Sequence, residues 1–271
     1  MSDLTCAVMN EYPNFNIVGE EWSENPAIIA HWLKNKVNPS GYTSCLPGAM
    51  DFPLQAALGK SLRNNNWYPL YETLSLDFLY PDASSLVVFP DNHDMSRFFT
   101  QVNENLDLFN LGLTYMLTTR GTPQIYYGTE ILMSNAGTDD HGIIRSDFPG
   151  GWPGDTKNAF SNIGLTSNQI EAKNLIQKLL KWRDKKPVIH HGKMMHFVPK
   201  ENIYVYFRYD NKEKIMIILS LNKNDQTIDL SRFKEILPES FNALDIISGN
   251  KMEVGNSILV SANKSMILEI K

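Results

Sequence analysis

The sequence lacks the features typical of nucleic-acid-binding and membrane-spanning proteins. Its 271 residues carry a net charge of −5 with a pI of about 5.7, and no basic stripe is present, which argues against a nucleic-acid partner. The longest apolar runs fall well short of a membrane span. Residues 1–15 show no basic segment followed by an apolar one, so they do not predict a secretory signal. No compartment is predicted, because a signal could lie upstream of this chain.

Cysteine is also scarce. Cys6 and Cys45 are the two cysteines, and no CxxC motif is present. This count favours two free thiols over a disulfide framework or a zinc site. The loop "TDDHG", residues 138–142, is acidic, but it lacks the regular spacing of a calcium loop. The sequence therefore predicts neither a metal site nor a cofactor.

What the sequence does contain is a change of pattern near Pro187. Before it, four apolar runs alternate with helical patterns, which is typical of α/β folds. These runs are "FNIVGEEW", "GAMDF", "SLVVFPDNHD" and "PQIYYG". After it come short β-like runs separated by Asn, Asp, Gly and Lys, as in an all-β sandwich. We therefore expect two domains, residues 1–187 and residues 188–271.

The helical patterns carry recognisable start signals. Ser23 or Asn25 could cap a helix that begins near Pro26, and Ser167 is the expected cap of a long helix that ends near residue 186. Residues 1–13 are also helix-like. A Gly-rich polar segment, residues 134–165, is longer than most loops, which favours a functional role over an irregular surface.

Polar residues follow two of the apolar runs. Because ligands of parallel α/β folds meet the carboxyl ends of the strands, these residues are expected at one face. Two carboxylates at a cleft suit acid–base cleavage of a sugar bond or a metal site, although an acidic residue after a strand is often only a helix cap. The residues concerned are Glu20, Glu21, Asp91, Asn92, His93 and Asp94.

The neighbouring residues make this pattern more specific. "VGEEW", "AMDFPLQAAL", "FPDNHDMSRF" and "GTPQIYYGTEI" resemble, in order, segments of the α-amylase family of glycoside hydrolases, with similarity to neopullulanases and cyclomaltodextrinases. The resemblance covers the whole chain. It implies the second half of a (β/α)8 TIM barrel followed by an all-β C-terminal sandwich domain. It also implies a retaining glycosidase that acts on α-1,4-glucans such as maltodextrin, cyclodextrin or pullulan.

The same resemblance implies roles for individual residues. Glu20 is expected to be the general acid, which must be protonated near neutral pH and so needs burial and a neighbouring carboxylate. Glu21 should point the other way by strand alternation. Asp94 is expected to stabilise the transition state, and Arg97 to tie its loop. The expected substrate-binding residues are His93, Asn92, Arg145 and Trp152, and Tyr127 and Glu130 are expected to shape the end of the barrel.

One group that a retaining enzyme requires has no counterpart among these residues. The family's nucleophilic Asp lies in a phrase close to G-F-R-x-D before the general acid. "FRYD", residues 207–210, follows Glu20 instead and is better interpreted as a hairpin turn. We therefore expect a part of a longer enzyme that is inactive alone. Its exposed strand edges should pair with the missing N-terminal half of the barrel or with a second copy.

Two other functions remain open at this stage. The aromatic loops together with His93 and Asp94 could serve a non-catalytic carbohydrate-binding protein. A metalloenzyme that uses Glu20, Asp91, His93 and Asp94 is the weakest alternative, because their spacing matches no strong metal signature.

Overall fold

The computed structural model describes residues 1–271, and its first part is built on four short parallel strands. β1 pairs with β2, Met50 bridges to Val87, and β3 pairs with β4. β1 and β4 therefore form the two edges of the array. Gly48 allows the close approach of neighbouring backbone, since a Cβ there would lie 2.4 Å from the carbonyl oxygen of Ser85. The strands are β1 (Val18–Gly19), β2 (Gly48–Ala49), β3 (Val87–Val88) and β4 (Thr122–Pro123).

Helices alternate with these strands, as the sequence predicts. None of them combines the length and apolar character needed to cross a membrane. They are α1 (Ser2–Glu11), α2 (Pro26–Trp32), α3 (Phe52–Arg63), α4 (Tyr68–Ser75), α5 (Phe98–Gln101), α6 (Leu106–Thr118), α7 (His141–Ile144), α8 (Ser167–Asp184) and α9 (Pro187–His191). Short 3-10 turns lie at Asp77–Leu79, Ala83–Ser85, Thr129–Ile131 and Leu230–Phe233.

Helix capping settles one open choice and corrects one prediction. Asn25 caps α2, because its Oδ1 accepts from the backbone N–H of Ala27 at 3.0 Å. The predicted cap of α8 was wrong by one residue. Thr166 is the N-cap, and it forms a capping box with Gln169, whereas Ser167 is the first helical residue.

The strand predictions were too long in the barrel part. "PQIYYG" contributes only Pro123 to β4, and the strand that precedes Glu20 ends at Gly19. Both strands end where the parallel pairing ends. Apolar character predicts burial there, but the pairing partners decide where each strand stops.

The C-terminal part is all-β, as expected. Its main sheet has six strands in the order β10-β9-β12-β7-β6-β5, and β11 pairs with β8 in a second, two-stranded sheet. The strands are β5 (Lys193–His196), β6 (Ile203–Tyr209), β7 (Lys214–Ser220), β8 (Gln226–Asp229), β9 (Phe241–Asp245), β10 (Lys251–Val254), β11 (Ser257–Val260) and β12 (Ser265–Ile270). The sequence did not predict β10.

The segment "FRYD" is a hairpin, which confirms its interpretation. Asp210 lies between the antiparallel strands β6 and β7, and its Oδ1 accepts from the backbone N–H groups of Lys212 and Glu213. These two bonds hold the pKa of the Asp210 carboxyl below its usual value. This carboxylate has a structural use in the turn.

The two parts share one hydrophobic core. A cluster of thirty buried residues runs from α3, α6 and α8 into β6 and β7, and buried Trp67 packs on Tyr204 with ring centroids 6.1 Å apart. At the end of α6, Arg183 donates to the carbonyl oxygen of Leu117 at 2.8 Å. Arg208 from β6 donates to that of Thr119 at 2.6 Å. Burial of this kind stabilises both parts together.

The expectation of two free thiols was wrong. Cys6 and Cys45 form a disulfide that joins α1 to the segment before β2. Beside it, the backbone N–H of Cys45 donates to Thr5 Oγ1 at 3.2 Å. The two cysteines lie 39 positions apart in the sequence, so only the tertiary fold brings them together.

Candidate functional site

The turn after β3 carries the densest group of predicted site residues. Asn92 is 3% exposed, and its Oδ1 accepts from the backbone N–H of Asp94 at 2.8 Å. Its Nδ2 is buried without a partner. The bond from Asp94 fixes the turn, so that the side chains of His93 and Asp94 project beside each other. His93 Nε2 lies 3.1 Å from Asp94 Oδ2.

Arg145 completes this group from the long loop. Its Nη2 lies 2.5 Å from Asp94 Oδ1 and 2.8 Å from His141 Nδ1. Its Nε donates to the carbonyl oxygen of His93 at 2.9 Å. The structure therefore brings together three of the predicted residues, His93, Asp94 and Arg145. Arg145 lies 52 and 51 positions from the other two in the sequence.

Beneath this group lies a buried carboxylate, Asp91. It is fully buried and accepts from the backbone N–H of Phe98 at 2.7 Å and from Thr129 Oγ1 at 3.0 Å. Burial raises the pKa of Asp91 to about 6, although these two hydrogen bonds and the charge of Arg97 oppose the shift. The nearby carboxylate of Glu130 adds to it. Asp91 thus joins the end of β3 to α5 and to the turn after β4.

Arg97 is also buried and does not reach the surface. Its Nε donates to the carbonyl oxygen of Ile144 at 2.8 Å, and its Nη1 donates to that of Tyr127. Its guanidinium carbon lies 4.1 Å from the ring centroid of Tyr126, which is a cation–π distance. These contacts agree with the expectation that Arg97 ties the loop.

Glu20 lies at the end of β1, outside this group of hydrogen bonds. Glu20 and Glu21 both border a cavity of about 260 Å³, which is also lined by Met1, Trp32 and Leu46. β1 ends at Gly19, so strand alternation does not extend to either glutamate, contrary to the expectation for Glu21. Glu20 is exposed, and this chain alone does not supply the burial that a general acid requires.

Trp152 lies on the long loop and is 64% exposed. Its backbone N–H donates to Asp155 Oδ2 at 3.1 Å, and the N–H of Gly150 donates to the same oxygen at 2.7 Å. Asp155 thereby fixes the turn that presents the indole to solvent. The hydrogen bonds of this turn are separate from those of Asp94.

Sequence reasoning missed a buried ion-pair network next to β2. Arg120 contacts Asp51 Oδ2 and pairs with Asp77, with Nη2 to Oδ1 at 2.5 Å and Nε to Oδ2 at 2.8 Å. Asp51 is also the cap of α3, since its Oδ1 accepts from the N–H of Leu54. Asp51 and Arg120 both sit beside strand segments that the sequence identified, but no local pattern pairs residues 69 positions apart.

Comparison with known proteins places this arrangement in a family. Residues 1–187 match the alpha amylase catalytic domain, and residues 194–269 match the cyclo-malto-dextrinase C-terminal domain. The chain belongs to the α-amylase family. The predicted resemblance is therefore confirmed, together with the TIM-barrel type of its first part and the sheet-rich C-terminal part.

Relatives of this α-amylase-family chain are considerably longer. The cyclomaltodextrin glucanotransferase of Geobacillus stearothermophilus is 27% identical over 266 residues, which are 94% of this chain and 34% of that protein. The α-amylase of Geobacillus thermoleovorans, solved in complex with acarbose, superposes with a TM-score of 0.79 at 23% identity. This match covers 99% of this chain and 56% of that one. An AmyP variant solved in complex with maltotriose gives a TM-score of 0.79 at 17% identity, covering 100% and 61%.

Proposed function

We propose that this chain supplies the acid–base half of the active site of a retaining glycosidase that cleaves α-1,4-glucans. The observation that carries the proposal is the group formed by Asp94, His93 and Arg145 at the end of β3 in an α-amylase-family barrel. The complexes of related proteins with acarbose and maltotriose support an oligosaccharide as the ligand.

The proposed roles follow from the chemistry of glycoside hydrolysis. Glu20 would protonate the departing glycosidic oxygen and later activate water, and Asp94 would bind sugar hydroxyls and stabilise the oxocarbenium-like transition state. His93 and Arg145 would hold hydroxyls of the same ring. Trp152 would offer an aromatic face to a sugar, and Asn92 would hold the turn that carries His93 and Asp94.

The nucleophilic carboxylate of the double displacement has to come from another segment. None of the carboxylates described above matches the family phrase, and Asp210 is committed to a hairpin turn. We therefore propose that residues 1–271 by themselves do not turn over substrate. The general acid would also gain its burial only when the rest of the barrel covers Glu20.

The partner of this chain would bind its strand edges. β1 pairs only with β2, and Val18 is 50% exposed. Exposed large apolar side chains flank this edge, among them Phe15 and Trp22. The unpaired edge of a strand presents backbone N–H and C=O groups that can pair with a further strand. We propose an N-terminal half-barrel as that partner, with a second copy of this chain as the alternative. We also propose that the two domains comprise residues 1–187 and 188–271 and share the core described above.

The test compares two polypeptides on maltodextrin and on pullulan. One is residues 1–271, and the other extends upstream through a segment that contains the G-F-R-x-D phrase. Reducing ends from the long form alone are expected, and Glu20→Gln should lower its rate about 10²- to 10⁴-fold. Turnover by residues 1–271 would contradict the proposed division of the site. The choice between maltodextrin and pullulan follows from the relative rates.

Non-catalytic carbohydrate binding is the second candidate. It is favoured by the observation that the Asp94 group is fully assembled within this chain. Two results together would establish binding in place of hydrolysis. Neither polypeptide would hydrolyse the glucans, and maltotriose would bind to the unaltered chain but not to Asp94→Ala.

A further inference from the structure

The Asp94–Arg145 pair is too exposed to hold itself in place. The side chains are 33% and 45% exposed, respectively. Ion pairs of this exposure contribute little to stability, because solvent screens the charges and both side chains lose rotamer freedom. The position of Arg145 against Asp94 must therefore come from what holds the loop that carries Arg145.

The buried Arg97 provides that support. Its donation to the carbonyl oxygen of Ile144 fixes the residue directly before Arg145. Its second donation, to the carbonyl oxygen of Tyr127, ties the same side chain to the segment after β4. Its own backbone N–H donates to Asn135 Oδ1 at 2.8 Å, at the start of the long loop. One side chain and its backbone thus join three segments.

Further hydrogen bonds from Asn135 and Tyr127 extend this support on both sides of Arg145. Asn135 Nδ2 donates to the carbonyl oxygen of Thr138 at 2.7 Å and to Ser96 Oγ at 3.2 Å. On the other side of Arg145, Tyr127 Oη donates to the carbonyl oxygen of Ser146 at 2.9 Å. Ile144, before Arg145, is therefore bonded directly to Arg97, and Ser146, after Arg145, is linked to Arg97 through Tyr127.

We propose that Arg97 is the positioning residue that holds Arg145 against Asp94. Arg97 does not touch the sugar, and it acts through the backbone of Ile144. The importance of this for catalysis rests on the proposed function, in which Asp94 binds the sugar ring. Lysine cannot replace it, because a single ammonium lacks the planar fork that reaches two carbonyl oxygens in different directions.

The first experiment follows the Arg145 Nε–H by NMR in the 271-residue chain. This proton donates to the carbonyl oxygen of His93 and should exchange slowly in the unaltered protein. Arg97→Lys should accelerate its exchange about tenfold or more, because the loop loses a charge-assisted hydrogen bond, which is a strong one. Unchanged exchange in a folded Arg97→Lys protein would overturn the proposal.

The chain offers a matched control in Arg208. It is likewise a buried arginine that donates to backbone carbonyls, those of Thr118, Thr119 and Gly192, but it lies in the shared core. Arg208→Lys should cost comparable stability and leave the Arg145 exchange unchanged. If Arg97→Lys does not fold, Asn135→Ala removes the acceptor of the Arg97 backbone N–H and should give the same acceleration. Unchanged exchange of the Arg145 Nε–H in Asn135→Ala would count equally against the proposal.

The second experiment measures maltotriose affinity in a double-mutant cycle. Arg97→Lys should raise the Kd about tenfold, and in the Arg145→Met background it should have no further effect. Independent, additive losses would show that Arg97 does not act through Arg145. If residues 1–271 bind no maltotriose, the affinities are measured in the polypeptide that extends upstream. Absence of binding there as well would count against the proposed function, while the exchange of the Arg145 Nε–H would still decide whether Arg97 positions Arg145.

Discussion

The buried carboxylate Asp91 makes the stability of this protein depend on pH in an uncommon direction. Its pKa is about 6 in the folded chain, against 3.8 for an ordinary aspartate, and the main cause is burial. The folded state therefore binds a proton more tightly than the unfolded state, and the unfolding free energy rises as the pH falls through about 6. The whole difference corresponds to about 3 kcal/mol, and it is fully present only below the unfolded pKa of 3.8.

The perturbation that isolates this effect is Asp91→Asn, which keeps the shape and removes the titration. Asparagine Oδ1 can still accept from the N–H of Phe98, and its amide can donate to Thr129 Oγ1. Urea denaturation of both proteins at pH 7.5 and pH 5 gives the difference in unfolding free energy. Between these two pH values, the unaltered protein should gain about 1.4 kcal/mol relative to the variant.

A second variant checks the cause of the shift. Thr129→Val removes a hydroxyl that donates to the ionised form of Asp91, so the pKa of Asp91 should rise further and the transition should move to higher pH.

A difference between the unaltered protein and Asp91→Asn that stays constant from pH 7.5 to 5 would refute the reasoning. It would mean that Asp91 titrates alike in the folded and unfolded states.

Three further predictions concern contacts outside the site. Replacing Cys6 and Cys45 by serine should lower the unfolding free energy by up to about 4 kcal/mol, and mass spectrometry of the unreduced protein should find the two cysteines linked; two free thiols would contradict the pairing. Thr166→Ala should lower the unfolding free energy by about 1 kcal/mol in urea denaturation, whereas Ser167→Ala should leave it almost unchanged. Equal losses in the two variants would reject the capping box. Arg120→Met should cost about 3–5 kcal/mol, because it leaves a fully buried carboxylate unpaired, and a melting temperature close to that of the unaltered protein would exclude this.

The sequence alone determined the alternation of strands and helices in the first part, the change to an all-β part and the turn that follows β3. These features depend on local periodicity and on short motifs, which neighbouring residues specify. Asn92 illustrates this, because its bond to the N–H of Asp94 spans two residues and belongs to the motif itself. The family resemblance rested on the same local segments.

Only the tertiary structure decided which distant groups meet. The disulfide, the pairing of Arg120 with Asp51 and the contact of Arg145 with Asp94 join residues 39, 69 and 51 positions apart, respectively. Burial is equally non-local. Asp91 and Asp94 stand in one motif, yet the packing of α5 and of the turn after β4 buries Asp91 and leaves Asp94 partly in solvent. Desolvation depends on every element packed around a group, and for that reason the sequence could identify these carboxylates but not their ionisation.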